Sequence, residues 1–103
     1  MLQFDVYRNP SSRSRAQIPY VVLLQSHFFE GVPTVIVAPL LIDDGISAYS
    51  DASVKVAFRD ASYVVSIPEL AGIDRKALHS REGSLGAYED ELRRSLERVF
   101  TGF

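Results

Sequence analysis

The residues able to do bond chemistry are few and far apart. His27 and His79 are the only histidines, and cysteine is absent. Without cysteine there is neither a disulfide frame nor a thiolate metal site. There is no close His/Asp/Glu cluster either, so neither metal nor cofactor is expected. Phosphodiester cleavage needs a general base, a general acid and a cation for the pentavalent phosphate. Arg13 or Arg15 with His27 and a serine can be pressed into those roles, but no arginine stands beside a serine or threonine on a strand. The expectation is no catalytic residue.

The end of the chain carries a different chemistry. Phe100-Thr101-Gly102-Phe103 places two aromatics around a glycine, directly behind an amphipathic helix. Such a segment is either core filling, with Gly102 as a helix C-cap, or a probe presented to a partner. Val99 and Phe100 are neighbours, so one of them must leave the apolar helical stripe. The expected arrangement is Phe100 partly packed and Phe103 presented. Phe28-Phe29 poses the same question within a connection, where adjacent residues face opposite ways and only one can be core.

These side chains have to be positioned by a single domain spanning 1–103. A chain of this size buries roughly two-thirds of its unfolded surface. With 47% hydrophobic and 23% charged residues, the composition is globular and not disordered. The net charge of −2 argues against a broad phosphate-gripping surface. Local charge is uneven: Arg8, Arg13 and Arg15 face only Asp5 in residues 1–20, whereas residues 21–73 carry six acids against Lys55 and Arg59. The balance points to a protein partner, with no nucleic acid and no membrane. There is no basic segment followed by an apolar one at the N-terminus, and no apolar run near the ~20 residues needed to span a bilayer. Cytoplasmic residence is expected.

Periodicity gives a mainly β fold. Leu2, Phe4 and Val6 alternate with polar residues as a half-buried strand. Arg8 to Arg15 is a basic loop. Ile18 to Leu24 is a denser, more buried strand. Thr34 to Ile42 is another, with Pro39 suggesting an edge or a bulge. Val54–Phe58 and Tyr63–Ile67 form a hairpin, and Ile73 to Leu78 is a candidate last strand. Ser84 is the expected N-cap of a helix. Leu85, Tyr88, Leu92, Leu96 and Val99 form its apolar stripe, and Glu89–Arg93 and Asp90–Arg94 are i,i+4 pairs. Antiparallel strands closed by a terminal helix make a small SH3-like barrel.

Taken in order, Gln3-Phe4-x-Val6-Tyr7, Gln25-Ser26, Ala38-Pro39-Leu40 and the closing Phe100-x-Gly102-aromatic resemble the CcdB toxin family over nearly the whole chain. The resemblance implies a homodimeric, non-catalytic toxin that binds the A subunit of DNA gyrase and traps the gyrase–DNA cleavage complex. It also implies neutralisation by a CcdA-like antitoxin with a disordered C-terminal segment. Positions implied to touch gyrase are Ser26, Phe28, Phe29, Glu97, Phe100, Thr101, Gly102 and Phe103. Arg8, Arg13 and Arg15 are candidates to meet the acidic parts of the antitoxin. Thr101 stands where the family's best-known pattern has tryptophan. Two alternatives remain open: an endoribonuclease toxin on the same fold, as in the MazF-type enzymes, and an attenuated toxin that keeps only antitoxin binding.

Overall fold

The computed structural model describes residues 1–45 and 50–102. Its strands are β1 (Asp5–Arg8), β2 (Tyr20–Leu23), β3 (Thr34–Ile42), β4 (Ser53–Phe58), β5 (Ala61–Ser66), β6 (Ala71–Asp74) and β7 (Arg81–Ser84). One helix, α1 (Glu89–Thr101), follows. All pairings are antiparallel, in the order β4-β5-β3-β2-β1-β7, with β6 also on β3. The result is a curled half-barrel with one C-terminal helix, as the periodicity anticipates.

Side chains draw the two ends of the sheet together. The Arg59 guanidinium, at the β4–β5 turn, lies 2.9 Å from the Glu82 carboxylate and donates to the Glu82 carbonyl at 2.7 Å. Glu82 and Gly83 belong to β7. Gly83 brings its backbone against Phe58, so closely that a Cβ there would lie 2.7 Å from the ring. Phe58 in turn stands edge-on to Tyr20, with centroids 5.1 Å apart. The hairpin turn that carries Arg59 has positive φ at both Arg59 (50°) and Asp60 (63°), as a two-residue primed turn requires.

The central strands are covered on both faces. Phe4, Val6, Val22, Leu24, Ala38, Leu40, Val56 and Val65 join Leu85 and Leu92 in the main core. Tyr7, Val21, Leu23, Val35 and Val37 meet Leu78 in a second cluster on the opposite face, flanked by Phe28 and Ile73. This double coverage explains why Ile18–Leu24 is continuously apolar and does not alternate.

The structure departs from expectation at five places. Phe4 takes a left-handed conformation (φ 68°), so the first strand starts at Asp5 and not Leu2. Asp5 faces inward, 2% exposed, where it accepts from Arg81 Nε at 3.1 Å and from the Leu2 amide at 2.9 Å. Pro39 is neither at an edge nor in a bulge: β3 is an inner strand, and Pro39 lies where one flank passes from β6 (Val37↔Ala71) to β5 (Leu40↔Val65). Ladder bonds to that flank are interrupted there, which accommodates a residue without an N–H. Only Ile73 and Asp74 of the predicted Ile73–Leu78 strand belong to a strand, at the end of β6. Asp74 then accepts from the Lys76 amide at 2.9 Å and opens a 3-10 turn over Arg75–Ala77.

The fifth departure is the start of the helix. Ser84 ends β7, and its hydroxyl accepts from the Gly86 amide at 3.0 Å, supporting a 3-10 turn over Gly86–Tyr88. The helix proper begins at Glu89, with three acids in its first turn and Arg98 in its last, in line with the helix dipole. Glu89–Arg93 forms at 2.7 Å. No Asp90–Arg94 bond occurs among the described residues.

Two tests follow from this packing. Gly83→Ala is expected to destabilise the fold by about 1–3 kcal/mol through the clash with Phe58, measured by denaturant unfolding. Gly72→Ala, whose Cβ would stand 4.0 Å from Thr34 Cβ, lacks that clash. Burial raises the phenol pKa of Tyr7 and of Tyr63 above 10.0, with Asp5 reinforcing the shift at Tyr7. Each phenol then keeps its proton more tightly when folded than when unfolded. The contribution of these two phenols to stability is therefore fully present below pH 10 and is lost as pH rises through their folded pKa values. Tyr7→Phe should flatten part of this alkaline loss in a pH series of unfolding curves.

Candidate protein-binding site

Helix α1 docks through its middle and leaves its end uncovered. Leu92 is fully buried and Ser95 is 4% exposed, its hydroxyl donating to the Ala52 carbonyl. Arg98 Nη1 donates to the Asp51 carbonyl at 2.6 Å, one turn further on. Leu96 is half-buried against the core. Beyond it the stripe emerges: Val99 is 38% exposed and Phe100 68%. The sequence reading expects Val99 in the packed stripe and Phe100 partly packed. Instead both are exposed in the last turn of the helix.

Phe100 forms one wall of a shallow apolar groove of about 150 Å³, whose other walls are Leu24, Gln25, Ile36, Leu70 and Leu96. Ile36 is itself an exposed aliphatic residue on β3. Gln25 ties the far side together. Its carbonyl oxygen accepts from the Ile36 amide at 2.7 Å, while its amide group donates to the His27 carbonyl at 2.6 Å. The connection that carries Ser26 is thereby fixed beside the groove.

The predicted contact residues do not form one patch. Ser26 is exposed next to Gln25. Phe28 turns into the second cluster and lies under the Arg75 guanidinium, 4.6 Å from the ring centroid. Phe29 is exposed and lines a separate concavity with Val32, Pro33 and Arg75. Glu97 is exposed, and its carbonyl accepts from the Thr101 hydroxyl at 2.6 Å. Gly102 has φ 80° and donates its amide to the Arg98 carbonyl, so it is the C-cap. Phe103 lies outside the described residues. Sequence reasoning missed Leu24, Ile36, Leu70 and Leu96 as groove walls. The available signal was that Ile36 shares the face of Ala38 and Leu40 in β3.

The basic residues also divide. Arg8 and Arg15 line one cavity on another part of the surface, and Arg13 is exposed outside it. His79 lines this cavity and His27 does not. No group of three or more His, Cys, Asp or Glu side chains placed to hold a metal ion occurs among the described residues. No helix among them is long and apolar enough to cross a membrane.

An exposed apolar groove beside the end of a helix, on a curled half-barrel, is a candidate protein-binding surface on a small domain. The family model for the CcdB protein matches residues 3–102, which takes in every strand and α1, and the chain belongs to the CcdB family. Membership makes it a toxin of the toxin–antitoxin class. No curated protein matches the chain.

Phe100→Ala should change stability by no more than about 0.5 kcal/mol, since the side chain is mostly in solvent. Leu92→Ala should cost about 2–5 kcal/mol. Parallel thermal and chemical unfolding of the two variants tests whether docking and display are separate along one helix.

Proposed function

We propose that this chain is a gyrase-directed toxin that acts as a homodimer in the cytoplasm, by binding and not by bond chemistry. The A subunit of DNA gyrase is its target, trapped on cleaved DNA, and a CcdA-like antitoxin neutralises it. The observation that carries this reading is the exposure of Phe100 beside the groove. An aromatic ring offers a large, rigid apolar area for a partner pocket, and such residues dominate interface energetics. Ile36 and Val99 extend the apolar area around it, and Ser26, Glu97, Thr101, Gly102 and Phe103 belong to the proposed surface. Phe28 and Phe29 would form a second contact through the Gln25–Pro33 connection. Arg8, Arg13 and Arg15 would face the antitoxin's acidic groups.

A second reading draws support from Thr101. Its hydroxyl turns back onto the Glu97 carbonyl, so this position offers a partner no aromatic anchor. A toxin that retains antitoxin binding and has lost its grip on gyrase fits that feature.

Binding of purified gyrase A subunit, followed by calorimetry, separates the two. The first reading expects a stable complex that Phe100→Ala weakens tenfold or more, about 1.4 kcal/mol. It also expects induced expression to slow growth and raise double-strand breaks, and deletion of Thr101–Phe103 to abolish both while the dimer stays folded. Antitoxin binding without any gyrase complex would establish the second.

A further inference from the structure

The cavity that holds Arg8 and Arg15 is separate from the Phe100 groove, and its chemistry is unlike the rest of this acidic chain. It has a volume of about 320 Å³. Arg8 and Arg15 come from the end of β1 and the loop after it, and His79 and Ser80 from the connection into β7. Pro10 and Ala77 contribute apolar wall. The lining thus has three basic side chains and no acidic one.

The site is pre-set. The Arg15 Nε donates to the Asn9 carbonyl at 2.9 Å, and one Nη group donates to the Pro10 carbonyl at 3.4 Å. A guanidinium has five N–H groups in a fixed fork. Three therefore remain on a head group whose position is already fixed. The Arg8 guanidinium makes no hydrogen bond or ion pair among the described residues, while its backbone amide is tied to the Ser80 carbonyl at 3.4 Å. That bond sets the two walls against each other. Asn9, only 6% exposed, holds the loop by donating to the Ser14 hydroxyl and the Ile18 carbonyl and accepting from the Ser11 amide. Little ordering of the loop is left to be done on binding, which favours a small ligand.

We propose that this cavity binds a tetrahedral oxyanion of the phosphate class, either free or as a phosphomonoester. Arg8 and Arg15 supply planar, charge-assisted donors matched to such oxygens. The His79 imidazole and the Ser80 hydroxyl supply further donors. An occupant would neutralise the two arginines that the proposed function turns toward the antitoxin. The assignment itself rests on the cavity and does not require that function.

The test is a titration of the full chain with inorganic phosphate, ionic strength held constant with chloride, followed by amide chemical shifts. Saturable changes at Arg8, Asn9 and Ser80 are expected. Arg8→Gln and His79→Ala should each weaken binding, Arg8→Gln about tenfold for a lost charge-assisted contact, and exposed Arg13→Gln should not. A nucleoside monophosphate arm distinguishes the two sources: tighter binding than inorganic phosphate assigns the site to a monoester, and equal or weaker binding to the free ion. Shifts that rise linearly without saturation, or that persist unchanged in folded Arg8→Gln and His79→Ala proteins, would overturn the proposal.

Discussion

Everything displayed by this protein depends on how α1 is held at its middle. Leu92 contributes apolar burial, and the Ser95 hydroxyl on the Ala52 carbonyl contributes direction. Apolar contact alone tolerates sliding and rotation of a helix. A buried hydroxyl with one acceptor does not, because losing the bond leaves a desolvated polar group, at about 1–3 kcal/mol. The helix is therefore fixed in rotation as well as in depth. Once rotation is set, the 3.6-residue repeat keeps Val99 on the face of Leu92 and turns Phe100 about 100° from it, so their exposure comes from their place in the last turn of the helix.

The same half-barrel uses its edges differently. At β7 the edge is short and stitched to the β4–β5 turn by Arg59, Glu82 and the Phe58–Gly83 contact. Along β2 and β3 the sheet is covered on both faces, and apolar side chains of the main-core face reach solvent only toward the two ends of β3, at Ile36 and Ile42. The groove thus lies where the core runs out. Its walls are residues that are elsewhere core-forming types, which is why it is apolar.

Local pattern in the sequence disclosed β3 to its exact bounds, because apolar and branched residues persist for the whole strand. It also disclosed the β4–β5 hairpin and the presence of a terminal helix. It did not disclose β7, whose Arg-Glu-Gly-Ser sequence has no apolar period; that strand exists through distant partners, the β1 ladder first, with Phe58 and Arg59 packed against it. The helix start was misplaced by the same logic: Leu85 is buried with the stripe residues, yet belongs to a turn before the helix. The resemblance to the CcdB family gathered Ser26, Phe28, Phe29 and Phe100 as contact positions, but only the fold could show that Phe28 turns under Arg75 and that Phe29 lines a concavity separate from the Phe100 groove. The walls opposite Phe100 come from three separate segments and leave no mark on any single stretch of chain.

A polar relay crosses from α1 to the groove. Glu89 holds Arg93, whose guanidinium also donates to the side-chain oxygen Oε1 of Gln3 at 2.9 Å. Gln3 passes it on by donating to the Leu24 carbonyl at 2.9 Å, and the Leu24 amide donates to the Ile36 carbonyl at 3.0 Å. Leu24 and Ile36 are opposite Phe100. The spacing between the helix and those two strands is consequently strapped by side-chain amides and a guanidinium. Bracing of this kind ties the helix that carries Phe100 to the wall opposite it through hydrogen bonds as well as through apolar contact.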